Sequence, residues 1–471
     1  MTAIAGPILQ LRRLDLTATL TDPAARAERE ALCRRGAVPD DEIRATVRGV
    51  LALIRRNPSA EVRAANARFG GGLPDGRLVL EPDELAGAAA RLEPDIRAAL
   101  EASIANVRRF AETQIPRSTR TQIVPGVEIE RRWTALARVG AYVPGGSAAY
   151  PSSLIMTVVP ARVAGVDRVI VASPAGPDGQ LDPVLVGVAG LLEVDAFVVA
   201  GGAQAIGALA YGLPDEGLAA VDRIVGPGNS WVTAAKLEVA GEVAIDLPAG
   251  PSEGMVLADG SADAARVAAD LLTQAEHGPD SPAILVTTEA LFADRVEAEV
   301  SRQLAAAPRR EILERALAVH GRIVIAPDVD AAIEFINEYA PEHLSVDIET
   351  LEPVVARLRA AGSIFVGRWA PESAGDYATG ANHVLPTGGL ARSSSPLGVE
   401  AYGRFSQVQR ISREGLSTLR STIGTLATAE GLAAHRAAVE IRFTEGATAD
   451  AGATESQTAD DVDSGPDGTS R

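Results

Sequence analysis

What most constrains this chain is a repeated alternation of short, uninterrupted aliphatic runs with longer helical stretches. The runs DRVIVAS (167–173), DAFVVA (195–200) and DRIV (222–225) are separated by helical patterns at 183–192 and 203–211. The texture returns with GMVLA (254–258), AILVT (283–287), RIVIA (322–326) and SIFV (363–366), separated by helical patterns at 262–276, 289–306 and 330–339. Continuous apolar runs predict strands covered on both faces, and a β-α-β-α-β order predicts parallel sheets with crossover helices. The expected fold is therefore α/β, with two such units side by side.

The flanks read differently. Residues 1–30 form a short apolar segment followed by the Arg/Glu-rich start of a helix, an N-terminal arm. From about 40 to 115 the pattern is helical, with Ile43, Val47, Val50, Leu51 and Ile54 three and four apart and Gly70-Gly71-Gly72-Leu73-Pro74 as a break. Residues 400–441 return to helix. Beyond Phe443 the chain is Ala, Thr, Gly, Ser and Asp and carries −6 of the total charge of −18. That composition buries too little apolar surface to offset its ordering entropy, which predicts a disordered acidic tail over 445–471.

Composition excludes several function classes. Aromatic residues are only 4%, so the core must be aliphatic. A net charge of −18 argues against nucleic acid and against an anionic membrane surface, both of which call for clustered Lys and Arg. The single cysteine, Cys33, rules out an internal disulfide framework and a cysteine-rich metal site. Lys236 is the only lysine, so any Schiff-base chemistry would have to use it. The most apolar stretch, 184–211, is broken by Glu193, Asp195 and Gly201-Gly202, and the first 20 residues lack a basic leader; a cytoplasmic protein is expected.

Two parallel-sheet units suggest a nucleotide, yet no G-x-G-x-x-G follows any predicted strand, so these are Rossmann-like units without the usual fingerprint. Glycine-rich turns stand there instead: Tyr142-Val143-Pro144-Gly145-Gly146, Gly201-Gly202-Ala203-Gln204 and Gly226-Pro227-Gly228-Asn229. Each lets a backbone approach a ligand, and Gln204 and Asn229 place amides where strand carboxyl ends face a crevice. Taken singly, each is an ordinary turn; three in one unit favour a binding role.

The five histidines, His277, His320, His343, His383 and His435, all lie in the C-terminal half. Gln274 and His277 share a helix face just before Gly278-Pro279 and can bind one cation, although His also suits any helix terminus. Glu342-His343 offers two adjacent proton-moving groups. Asp376 sits in a Gly-bearing loop past the last strand, near His383. Glu430 and His435 are five apart on the last helical segment and read alone as a solvated surface; His320 reads as structural. Nitrogen and oxygen donors without thiolate suit a divalent metal such as Zn²⁺.

In AYVPGGSAAYPSS (141–153), GGAQAIGALAYG (201–212), VDRIVGPGN (221–229), IDLPAGPSE (245–253), LLTQAEHGPDS (271–281), EYAPEHL (338–344) and the stretch 362–387 ending in ESAGDYATGANHVLPT, the chain resembles the histidinol dehydrogenases, over roughly residues 10–443. The resemblance implies one Zn²⁺ per subunit held by Gln274, His277, Asp376 and His435, with Glu342 and His343 as the proton-moving pair. It implies NAD contacts at Tyr142, Gln204 and Asn229, and substrate contacts at Ser252, His383 and Glu430 alongside the metal ligands and His343. It further implies a cytoplasmic homodimer whose C-terminal helical arm, 396–444, brings Glu430 and His435 to the neighbouring active site. The domain division it implies is a discontinuous catalytic domain of 31–140 and 250–395 around an NAD-binding unit of 141–249.

The implied reaction is the four-electron oxidation of L-histidinol to L-histidine through L-histidinaldehyde, with reduction of two NAD⁺, in histidine biosynthesis. It calls for a base at the alcohol, for which His343 is the choice, and a water activator for the aldehyde, for which Glu342 is the candidate. Cys33 lies far along the sequence from every motif, which favours a hydrated aldehyde over a thiohemiacetal. The rival within the fold is a related zinc- and NAD-dependent dehydrogenase of another amino alcohol or a sulfonated diol; Glu430 and His383 favour histidinol. A zinc hydrolase using Glu342 leaves the glycine-rich unit without purpose, and a non-catalytic metal-binding module explains neither Glu342 nor His343.

Overall fold

The computed structural model describes residues 10–36, 38–145 and 150–444. The acidic segment 445–471, the first nine residues of the expected arm and Gly146 of the first glycine turn lie outside the described residues.

The larger of two compact units comprises residues up to 116 and 133–404. It contains two six-stranded sheets. The first sheet is wholly parallel, in the order Arg12–Asp15, Gly321–Ile325, Ala283–Thr287, Gly254–Ala258, His343–Asp347 and Ser363–Val366. The second runs Val79–Leu80, Ala196–Val199, Arg168–Ser173, Arg138–Tyr142, Arg223–Val225 and Ala244–Ile245, with only its short first strand antiparallel. Six of the seven aliphatic runs read from the sequence supply interior strands, three in each sheet, and the seventh, Ser363–Val366, is an edge strand. Val169, Val171 and Ile284 to Val286 are fully or almost fully buried, as parallel strands covered on both faces require. Aspartates cap the crossover helices: Asp182 before Pro183–Leu191, Asp263 before Ala264–Glu276 and Asp328 before Val329–Tyr339.

Helix Asp41–Arg56 and helix Pro58–Phe69 place Val47, Leu51, Ile54 and Val62 in one core with Ile170, Ile206, Leu209 and Ile224 of the second sheet's layers. Leu85 and Val107 join Val139, Leu154 and Val171 on the other face. Residues 41–112 therefore cover the glycine-rich unit rather than the sheet of 254–366. Arg12–Asp15 pairs with Gly321–Ile325 as an edge strand of the first sheet.

The second unit is described in residues 117–132 and 405–444. Its strands belong to a three-stranded sheet in the order Gly403–Ile411, Val127–Ala135 and Thr119–Val124. Helices Arg413–Ala429 and Ala433–Thr444 follow, so the expected helical arm also carries a strand. Among the described residues, no helix is long and apolar enough to cross a membrane.

Candidate active site

Two places in the larger unit gather the residues singled out by the sequence. The first lies at the carboxyl ends of the second sheet. Its strand order reverses beside Arg138–Tyr142, because the chain runs outward through Arg168–Ser173 and Ala196–Val199 and then returns to Arg223–Val225 on the other flank. Such a reversal opens a crevice. A cavity of about 750 Å³ is found there, and Tyr142, Gln204 and Asn229 all line it. Gly70 to Gly72, Pro174 to Pro177 and Gly201-Gly202 complete much of its wall, and among the described residues no lining side chain carries a charge.

Local structure explains each position. Asn229 caps helix Ser230–Val239 by accepting hydrogen bonds from the N–H groups of Trp231 and Val232. Gln204 lies in the first turn of helix Gly202–Tyr211 and donates to Asn66 Oδ1 and the Gly70 carbonyl, both at 3.4 Å. Burial pushes the Tyr142 phenol up to about 12, so it stays protonated. Gly226 has φ +108°, and a Cβ there would stand 2.1 Å from the Tyr142 carbonyl oxygen; only glycine lets these two segments approach so closely.

The second place lies at the amino ends of two central strands of the first sheet. Gly254 and His343 are partners in register, so the segments entering these strands, Ser252-Glu253 and Pro341-Glu342, come together. Glu342 Oε2 accepts from Ser252 Oγ at 2.8 Å and from the Glu253 N–H at 2.9 Å. It also lies 3.5 Å from His343 Nδ1. Burial works to raise the Glu342 carboxyl, but the His343 charge and these hydrogen bonds overrule it and hold it below its usual value. Burial likewise opposes a charge on His343, yet Glu342 and then Glu372 push the imidazole up to about 10.

Arg35 stiffens this corner. It grips both oxygens of Glu253 at 2.7 Å and donates to the Tyr339 and Ala340 carbonyls, just ahead of Glu342. Ala340 takes the left-handed conformation, φ +54°, that turns the chain from helix Val329–Tyr339 into Glu342 and His343.

The metal-type donors converge on the same corner. His277 ends helix Ala264–Glu276, and its ring centroid lies 6.3 Å from that of His343. Helix Glu372–Tyr377 presents Glu372 and Asp376, four apart and so on one face. His277, Glu372 and Asp376 each offer a ligand atom, all within 4.8 Å of one another. The expected loop around Asp376 is thus a short helix. Glu372 is a site residue that the sequence reading passed over, although the i,i+4 spacing to Asp376 was its signal. Burial raises its carboxyl to about 7, with His343 and His277 pulling the other way.

Gln274 adds a second kind of observation. It is 1% exposed, its Nε2 reaches Ser252 Oγ at 3.4 Å, and its Oε1 has no partner. Both His343 ring nitrogens and Glu372 Oε1 are also buried without hydrogen bonds. Buried polar atoms are nearly always satisfied, so four orphans in one cluster mark a place for a ligand. His383 stands behind Asp376: its Nδ1 is 3.0 Å from the Asp376 carbonyl and its Nε2 3.2 Å from Ser153 Oγ. Burial lowers its pKa.

Glu430 and His435 belong to the second unit. Glu430 is the C-cap of helix Arg413–Ala429, His435 lies in helix Ala433–Thr444, and both are exposed. The three-residue donor cluster is drawn from the larger unit alone.

Comparison with known proteins agrees with this geometry. The family profile described as histidinol dehydrogenase matches residues 33–443. The histidinol dehydrogenase of Methanosarcina barkeri is 42% identical over 418 residues, 88% of this chain and 95% of that protein. That of Natronomonas pharaonis is 44% identical over 422 residues, 89% of this chain and 97% of the other. The crystal structure of histidinol dehydrogenase from Elizabethkingia anophelis is similar at a TM-score of 0.84 with 33% identity, covering 92% of this chain and 98% of that one. With the motifs, the sheet topology and most of the chain's length matched, this protein is an oxidoreductase that belongs to the histidinol dehydrogenase family.

Proposed function

We propose that this chain oxidises L-histidinol to L-histidine through L-histidinaldehyde, in one zinc-bearing site and with two NAD⁺ reduced per turnover. The observation that carries the reading is the meeting of Glu342 and His343 with His277, Glu372, Asp376 and the unpartnered Gln274 Oε1.

The donor set fits Zn²⁺: imidazole nitrogen and carboxylate or amide oxygens, with no thiolate. Gln274, His277 and Asp376 would hold the ion, with His435 as the fourth ligand and Glu372 beside them. Held there, the metal supplies a fixed positive centre that orients the substrate's amine and imidazole. His343 takes the hydroxyl proton as the carbinol hydride leaves for the first NAD⁺; because Glu342 and Glu372 favour its imidazolium, it must first give up the proton they hold there. Glu342, kept ionised by Ser252 and the Glu253 N–H, takes a proton from the water that adds to the aldehyde. The hydrate then gives its hydride to the second NAD⁺, so the first step releases one NADH and one proton and the second, which ends at the carboxylate, one NADH and two protons. Cys33 is buried and its thiol is raised to about 11 by burial, which suits a passive core residue rather than an acyl-forming nucleophile.

The uncharged cavity at the second sheet is the coenzyme site, with Tyr142, Gln204 and Asn229 as its contacts. The N-terminus of helix Gly202–Tyr211 favours the pyrophosphate there through backbone N–H groups. Glu430 and His435, exposed in the second unit, act in the site of the other chain of a homodimer, with Ser252 and His383 completing the substrate's surroundings.

The test is NADH formation from NAD⁺ and histidinol. The expected result is turnover that a chelator abolishes and Zn²⁺ restores. Turnover unaffected by complete removal of zinc would count against the metal's place in this scheme, and no NADH at all would reject the substrate.

A further inference from the structure

Lys236, the only lysine, plays no part in the chemistry above, yet it is 2% exposed and charged. It projects from helix Ser230–Val239, whose N-cap is Asn229. Its ammonium has three donors, and all three are used. One goes to the Gly226 carbonyl at 2.9 Å, one to the Leu247 carbonyl at 3.0 Å and one to the carboxylate of Asp246, itself buried. No lone pair is free for Schiff-base formation while the pair is intact.

Asp246 completes the pattern from the other side. Its Oδ2 accepts from the Gly226 N–H and its Oδ1 from the Leu247 N–H, both at 2.7 Å. One ion pair therefore binds four backbone groups: the N–H and C=O of Gly226 and the N–H and C=O of Leu247. Gly226 lies against Tyr142 and opens the turn that carries Asn229 in the coenzyme cavity. Leu247 opens the segment that reaches Ser252 and Glu253 beside Glu342. That segment is fixed twice more, by Thr233 Oγ1 donating to the Ala249 carbonyl and by the Gly250 N–H donating to Thr387 Oγ1.

We propose that Lys236 and Asp246 are positioning residues that tie the coenzyme-side turn to the substrate-side segment and so set the hydride donor–acceptor distance. This rests on the dehydrogenase reading. A buried pair is weak support for stability, since an apolar pair of similar volume often replaces it without loss. Geometry is a better reason for its presence: displacement of reacting groups by about 1 Å can cost about 100-fold in rate.

The test compares wild type with Lys236→Met/Asp246→Leu, which removes both charges together and frees the N–H and C=O groups of Gly226 and Leu247 from their side-chain partners. The melting temperature is expected to fall, because these backbone groups lose their partners, with the variant still folded. The kcat is expected to fall about 10- to 100-fold, with a larger primary deuterium isotope effect for histidinol labelled at the carbinol carbon. A folded double variant with wild-type kcat and isotope effect would overturn the proposal. Amide exchange in the ligand-free wild-type protein gives an arm independent of that variant's folding. Gly226 and Leu247, held by one carboxylate, are expected to exchange with similar protection, within about threefold. A difference above about tenfold would overturn the shared tie. Failure of wild type to form NADH would count against the dehydrogenase reading instead, and the exchange arm would still judge the tie.

Discussion

In the proposed reaction Glu342 and His343, neighbours in sequence, have different jobs, because different groups face them. Glu342 is fixed by Ser252 Oγ and the Glu253 N–H, whereas His343 Nδ1 faces Glu342 and Glu372 at 3.5 and 3.9 Å and its Nε2 has no hydrogen-bond partner. Glu342→Gln keeps the volume and removes the base. Supplied histidinaldehyde is then expected to be oxidised about 10²- to 10⁴-fold more slowly, while the first hydride transfer from histidinol survives in a single turnover. His343→Asn is expected to slow that first transfer as well. Rapid-mixing absorbance on each substrate checks this, and equal loss of both steps in both variants would contradict the division. The residues of this corner were readable from sequence because each belongs to a motif of unusual composition. Glu372 was not singled out, because a glutamate one turn before Asp376 looks like any solvated residue until burial and His343 are seen around it.

At the scale of elements, apolar runs were legible and polar strands were not. His343–Asp347 occupies an interior position of the first sheet, yet HLSVD has only two aliphatic residues and begins in the active site. It therefore reads as loop. Arg12–Asp15 is an edge strand with only Leu14 facing the core, so it gives no period to detect. The stripe of Val47, Leu51 and Ile54 announced a helix but not which sheet it covers, since that depends on contacts more than 100 residues away. Helix Ala264–Glu276 carries a further consequence. Burial, with the nearby Asp347 adding to it, raises Asp270 to about 6 from the ordinary 3.8. The folded state thus holds a proton that the unfolded chain has lost between about pH 4 and 6, and stability falls as pH rises through that window. Asp270→Asn is expected to add roughly 2 kcal/mol above pH 6 and nothing below pH 4. Denaturant melts at pH 4 and pH 7.5 check the sign; a gain at pH 4 only would contradict it.

At the scale of the whole molecule, the candidate site is built from distant stretches of one unit, 252–253, 274–277, 342–343 and 372–383, while His435 and Glu430 lie in the other unit. If the fourth zinc ligand comes from the other chain, His435→Ala and His277→Ala chains, each inactive alone, are expected to complement. After dissociation and reassociation of an equal mixture, about half the dimers are mixed and each has one complete site, so activity is expected at roughly a quarter of wild type. No recovery in dimers confirmed by mass would place His435 in its own chain's site. The central claim is that a single site takes alcohol to acid. The direct measurement is NADH formed per histidinol consumed at limiting substrate, with an aldehyde trap in the solution. The account predicts two NADH and no trapped aldehyde; one NADH with histidinaldehyde accumulating in the trap would contradict it.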